Sequence, residues 1–291
     1  MAAGWAVGIA TWSTADGRGV VAGGISVSGA SAAGAVRSSR PVCTTWRQAR
    51  AAYATGVSAV GDAIRANTLD ADGTLWDFEA TMHAALGHAL AELRRAAPTQ
   101  AAALTIEHLI ATRNAVEARL FGRVPTLEVV RLSAFEETLR QIGLDDRDGA
   151  LAARLNALYL HHRFADIALY ADVRPALAAL RGRYVLGLLT NGNTYPERCG
   201  LPDTFDFAVF GQDHGTKKPD RGLFRIALDR AGCAPHQLLH VGDSLANDVA
   251  GANGAGARSV WLNRTGRAND TPHVPDNEIA SLSDLGTILD R

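Results

Sequence analysis

A chain of 291 residues with a formal net charge of -1 is long enough for one large domain, or for a core domain carrying a smaller insert, with a substantial buried core either way. Near-balanced charge leaves no footprint for nucleic acid or an anionic membrane surface, and no run reaches the roughly 18 apolar residues of a membrane-spanning helix, so the expected partner is small. Three widely spaced cysteines, Cys43, Cys199 and Cys233, form no metal-ligand spacing and read as reduced thiols; residues 1–10 lack a basic secretory n-region, and together these point to a cytoplasmic protein.

Residues 1–58 are rich in Gly, Ala and Ser and poor in acids, with no sustained apolar period. They are expected to be a disordered or non-native extension. Order is expected from residue 63, where 63–69 reads as a short strand ending at Asp70. Further strands are predicted over 184–190, 207–210, 238–241 and 258–262, each a brief apolar run bounded by turn residues. Helical stretches at 174–180, 222–231 and 248–253 lie between them, and a short final helix ends near Leu289 behind the capping residues Ser281 and Asp284. Strands alternating with helices predict an α/β fold with a mainly parallel, doubly wound sheet.

Residues 77–166 interrupt this pattern and read as helical throughout. Phe78, Met82, Ala85, Leu86, Ala89, Leu90 and Leu93 recur at helical spacing. Helices are also expected over 105–121 and 148–164, and Ser133-Ala134-Phe135-Glu136 has the form of a capping box that starts another. Four helices suffice for a small bundle between the core segments 63–76 and 167–291.

Four stretches carry chemistry. Leu69-Asp70-Ala71-Asp72-Gly73-Thr74 sets two acids one residue apart before a glycine turn, which calls for a metal or cationic partner. Thr190-Asn191-Gly192 offers a hydroxyl and backbone N–H groups at a strand end, suited to phosphoryl oxygens. Of the 29 basic residues only Lys217 and Lys218 are lysines, and a compact ammonium in their glycine-led loop can neutralise phosphate. Gly242-Asp243 and Asp248 place two acids around a strand end and a helix start, where both can face one magnesium ion.

In this order the four stretches resemble the motifs of the haloacid dehalogenase-like hydrolase superfamily, over residues 63–291. The resemblance implies a Rossmann-like core with a helical cap inserted after the first motif, and a magnesium-dependent phosphatase acting on a small phosphorylated metabolite. It further implies that Asp70 attacks phosphorus, Asp72 moves the proton, and Thr190, Asn191 and Lys218 hold the phosphoryl group. Asp70, Asp243 and Asp72, the last through its backbone carbonyl, would bind Mg2+, with Asp248 as a ligand or outer support.

Dehalogenases of the superfamily generally lack the second acid, so Asp72 disfavours that activity. A phosphomutase and a non-enzymatic metal-binding module remain as alternatives. Arg65, Asn67 and Thr68 make the first strand more polar than the family's apolar run. His83, His108, Arg113, Arg119, Arg123 and Arg131 are the candidate cap contacts, most of them expected on a solvated face. Trp76 is placed near the cap entrance or in the core.

Overall fold

The computed structural model describes residues 63–121, 123 and 126–290; the extension expected over 1–58, and Cys43 within it, lie outside the described residues. Six strands, β1 (Ala66–Leu69), β2 (Val185–Thr190), β3 (Phe207–Phe210), β4 (Leu238–Gly242), β5 (Arg258–Leu262) and β6 (Asn277–Ile279), form one sheet in the order β3-β2-β1-β4-β5-β6. All neighbours pair in parallel. The chain therefore fills one side of β1 and then crosses to the other. This is the reversal of strand order at which α/β sheets open a crevice beyond the strands' carboxyl ends.

Strand β1 is shorter than the stretch expected over 63–69. Arg65 still joins the ladder at its margin, donating from its backbone N–H to the Gln237 carbonyl at 2.9 Å and accepting from the Val185 N–H at 3.1 Å. β6 was not anticipated: it is three residues at the sheet edge with Glu278 exposed, too short and too polar to show an apolar period. Leu188 and Leu189 are successive and point to opposite faces. The first joins a cluster with Leu69, Val241 and helix α5 (Val173–Leu180), the second a cluster with Val209, Leu238 and helix α6 (Arg221–Ala231).

α5 buries Val173, Ala176, Leu177 and Leu180, an i, i+3, i+4, i+7 stripe. The helix expected over 248–253 begins earlier, with one π turn over Leu245–Val249 that leads into α7 (Ala250–Ala255); Ser244 caps it by accepting from the Asn247 N–H at 3.2 Å. The last helix, α8 (Leu285–Leu289), follows a 3₁₀ turn that Ser281 caps. No helix among the described residues is long and apolar enough to cross a membrane.

Between β1 and α5 the chain forms α1 (Phe78–Ala96), α2 (Ile106–Leu120), α3 (Leu127–Gln141) and α4 (Ala150–Ala165). Asp77 caps α1 by accepting from the Ala80 N–H at 2.9 Å, and Thr105 caps α2 in a box with His108. The expected start at Ser133 is incorrect. α3 begins at Leu127, and Ser133 sits in its interior. Val130, Ala134, Thr138 and the neighbouring Phe135 and Leu139 form one buried face, so the periodicity runs through Ser133 without a break. Leu86, Ala89, Leu90 and Leu93 of α1 pack with Phe135 and Leu139 of α3 and with Leu155 and Tyr159 of α4 in a core separate from the sheet's.

Candidate active site

The carboxyl ends of β1, β2 and β4 lie side by side, since Leu69 pairs with both Leu188 and Val241. Asp70 continues the β1 ladder by donating from its backbone N–H to the Val241 carbonyl at 2.9 Å. The chain then turns at once. The Leu75 N–H closes onto the Ala71 carbonyl at 2.8 Å and the Gly73 N–H onto Trp76 at 3.0 Å. Gly73 has φ +80, and a Cβ there would stand 2.7 Å from Asp243 Oδ2, so both backbone and space require glycine. Trp76 is fully buried in the sheet core, not at the cap entrance.

Lys218 is buried beneath these acids. Its Nζ lies 2.6 Å from Asp70 Oδ1 and 2.6 Å from Asp248 Oδ1, and donates to the Leu189 carbonyl at 2.9 Å. Burial opposes the ammonium charge, but Asp248 and Asp70 outweigh it, and the Lys218 pKa is raised. Asn191 fixes the lysine's backbone on both sides, its Oδ1 accepting from the Lys218 N–H at 2.7 Å and its Nδ2 donating to the Lys218 carbonyl at 3.1 Å. Lys217, by contrast, lies over the exposed Phe121 ring at 4.5 Å. Thr190 is buried, and its Oγ1 accepts from the Gly192 N–H at 3.0 Å. Asp70, Asp72, Thr190, Asn191, Lys218, Asp243 and Asp248 all border one cavity of about 300 Å³.

The acids are not equivalent. Burial raises the pKa of Asp70 despite Lys218. It pushes Asp72 to about 6 against the pull of Arg163, and Asp243 to about 7, with Asp70 and Asp248 adding repulsion. Asp248 moves the other way. Burial penalises its charge, but Lys218 and the hydrogen bond from His240 prevail and hold its carboxyl below the usual range. Oxygens of Asp70, Asp243 and Asp248 lie within 4.8 Å of one another. One lysine offsets three carboxylates, and hard oxygen donors with surplus negative charge fit a small divalent cation. Asp248 is the most heavily engaged of the three: Oδ1 accepts from Lys218 and His240, and Oδ2 accepts from the Ser244 N–H at 2.9 Å.

Four further residues were not assigned to the site from sequence, or were named only as candidates. His240, buried in β4, bridges Thr68 Oγ1 at 2.9 Å and Asp248 Oδ1 at 3.1 Å. The polar first strand is thereby explained in part, since Thr68 pairs with His240 in register. Arg163 of α4 is wholly buried and donates from Nη2 to Asp72 Oδ1 at 3.2 Å. Asn193 links core and cap, accepting from Arg131 Nη2 at 2.9 Å and donating to Glu128 Oε1 at 2.6 Å. Arg131 is therefore the buried member of the cap candidates. His108 is used in capping α2, Arg113 pairs with Glu117 at 2.6 Å, His83 is half-buried, and Arg119 and Arg123 are exposed.

A comparison with protein families matches residues 64–256 to the haloacid dehalogenase-like hydrolases. Among curated relatives, a 5-amino-6-(5-phospho-D-ribitylamino)uracil phosphatase, YigB, of Escherichia coli is 30% identical over 53% of this chain and 68% of its own length. A phosphoserine phosphatase of Thermus thermophilus is 34% identical over 59% of this chain and 73% of its own length. Among solved structures, a 2-haloacid dehalogenase of Pseudomonas syringae pv. tomato superposes with a TM-score of 0.67 at 33% identity, covering 78% of this chain and 99% of that one. The HAD-hydrolase YfnB of Bacillus subtilis bound to magnesium reaches 0.61 at 25% identity, over 79% of this chain and 100% of that one. With about two thirds of its length matched by the family and relatives at 30% identity or more covered over two thirds of their own length, this chain belongs to the haloacid dehalogenase-like hydrolases.

Proposed function

We propose that the protein is a magnesium-dependent phosphatase that hydrolyses a small phosphomonoester through a phosphoaspartate on Asp70. The observation that carries the reading is Asp72. A carboxyl pushed up to about 6, two residues beyond the Asp70 nucleophile and bordering the same cavity, is tuned to give and take a proton. Displacing halide from carbon needs no such acid, because the leaving halide takes no proton.

In this reading an Asp70 oxygen attacks phosphorus, the ester P–O bond breaks, and Asp72 delivers its proton to the departing alkoxide. Water then adds to the phosphorus of the phosphoaspartate while Asp72 takes its proton back, and phosphate leaves Asp70 free. Lys218 and the Thr190 hydroxyl face the transferring oxygens, and Asn191 holds Lys218 in place. Asp70 and Asp243, with the Asp72 backbone carbonyl, would hold Mg2+. The ion, when bound, supplies positive charge that lets an anionic nucleophile approach an anionic ester. Asp248, its oxygens already accepting from Lys218, His240 and Ser244, orients the lysine and supports the site from behind.

The test is phosphate release from a panel of phosphomonoesters with magnesium or with EDTA, run beside chloride release from 2-chloropropionate. Magnesium-dependent phosphate release without chloride release is expected. Chloride release alone would assign the dehalogenase chemistry of the Pseudomonas neighbour, and interconversion of sugar phosphates a mutase.

A further inference from the structure

On the cap, apart from the acid cluster, two helices bring together donors of a different kind. His88 of α1 faces His162 of α4 and Asp166, the residue that ends α4. His162 Nδ1 lies 2.8 Å from Asp166 Oδ2, and the His88 and His162 rings stack with centroids 3.6 Å apart and planes 9° from parallel. One donor atom of each residue lies within 4.8 Å of the other two. None of the three borders the cavity that holds Asp70, Asp72, Asp243 and Asp248. His88 and Asp166 are exposed and His162 is half-buried, so an ion reaches them directly from solvent.

The constellation has a local and a tertiary cause. Residues four apart on a helix share a face, which brings His162 to Asp166, and His88 arrives from the helix packed alongside. The backbones are fixed: Leu86, Ala89 and Leu90 of α1 share a buried cluster with Leu155 and Tyr159 of α4, and Glu92 of α1 pairs with Arg154 of α4 at 3.0 Å. Glu92 takes arginines, whereas Asp166 takes an imidazole, which in its neutral form offers a lone pair to a metal. Two imidazole nitrogens and one carboxylate suit zinc and its neighbours, while magnesium prefers oxygen throughout. Donors set tetrahedrally about Zn2+ at about 2.0–2.1 Å stand roughly 3.3 Å from one another, between the 2.8 Å of the His162–Asp166 pair and the 4.8 Å that bounds the set. Parallel rings cannot both aim lone pairs at one ion, so the exposed His88 ring must turn out of the stack about its own side-chain torsions. We propose that His88, His162 and Asp166 bind one borderline divalent transition-metal ion of the zinc class, with water completing its coordination. The ion staples α1 to α4, the first and last helices of the cap.

Zn2+ is the probe. The full chain, stripped with EDTA and dialysed, is titrated while its histidine rings are followed by proton–nitrogen correlation spectra, which report on each imidazole separately. The resonances of His88 and His162 are expected to shift together and to saturate in the micromolar range. His88→Ala, His162→Ala and Asp166→Ala, each checked by thermal melting, should weaken binding at the remaining rings at least about tenfold, the low end of what losing even an outer-shell partner of a metal costs. His161→Ala should leave binding as it is, since that ring meets His162 edge-on at 5.0 Å and stands outside the donor set; Asp243→Asn should do the same, because the acid cluster is a separate site. Rings that do not shift, or that half-saturate only at millimolar Zn2+, overturn the site and leave ordinary surface histidines. Undiminished affinity in any of the three alanine variants at 88, 162 and 166 overturns the three-residue assignment. Loss of the shifts in Asp243→Asn overturns it as well, by placing the ion on the acid cluster.

Discussion

Asp70 and Asp72 stand two residues apart yet answer to different neighbours. Asp70 meets the buried ammonium of Lys218 at 2.6 Å, whereas Asp72 meets a guanidinium at the longer distance of 3.2 Å. Gly192 lets Asp72 reach the cavity, because a Cβ there would stand 2.6 Å from Asp72 Oδ2. With its pKa near 6, Asp72 is protonated below that pH and ionised above it. In the proposed mechanism Asp72 protonates the leaving alkoxide and must start protonated, so the rate of phosphorylation of Asp70 is expected to fall as pH rises through about 6. Single-turnover measurements on an ester with a poor leaving group would show this limb. In Asp72→Asn the rate should drop by roughly 10²- to 10⁴-fold and lose the limb; a variant that retains it would assign the proton to another group.

At the scale of elements, what could be read from the chain depended on whether the cause was local. Strands β3 and β5 are bounded by turn residues and match their expected limits at Phe207–Phe210 and Arg258–Leu262. Asp70 and Asp243 stood out because each directly follows a strand, Asp72 and Asp248 because each lies a few residues beyond one of them, and Lys218 because it and Lys217 are the chain's only lysines. Arg163 gave no such signal: its partner Asp72 is distant in sequence and meets it only through cap packing. His240 was equally silent, since one polar residue in an apolar strand announces nothing until its cross-strand neighbour Thr68 is known. Ser133 misled for the opposite reason. It has the right spacing to Glu136, but the buried face of α3 continues on both sides of it. Helix caps therefore provide a direct comparison. Thr105→Ala removes a side chain that accepts from the His108 N–H, and is expected to cost about 1 kcal/mol. Ser133→Ala, inside a helix, should stay within about 0.5 kcal/mol. Denaturant midpoints of the two variants give the comparison, and a larger loss at Ser133 would return it to a capping role.

For the whole molecule, the acid cluster makes stability a function of pH and, in the proposed reading, of metal. Asp70, Asp72 and Asp243 all have raised pKa values, the last reaching about 7, with burial the leading cause in each. Between their unfolded values near 4 and these folded values, the folded protein binds more protons than the unfolded chain. Without metal, stability must therefore fall as pH rises through that window. Asp248 acts in the opposite sense. Its carboxyl is held below its ordinary value, so the stability it contributes is present at neutral pH and is lost only as the solution is acidified below about 4. The metal-free protein should thus melt highest at about pH 4, with stability falling on either side. A divalent cation held as proposed would bind the ionised carboxylates and displace protons where they are held, so its stabilising effect would grow with pH. Melting temperatures with EDTA and with magnesium at about pH 5 and about pH 8 check this. A larger magnesium shift at the higher pH is expected. Equal shifts at both would mean that the ion binds away from Asp70 and Asp243. Asp243→Asn should abolish most of the shift while raising the metal-free melting temperature at about pH 8, because it removes the carboxylate whose charge the fold tolerates least without an ion.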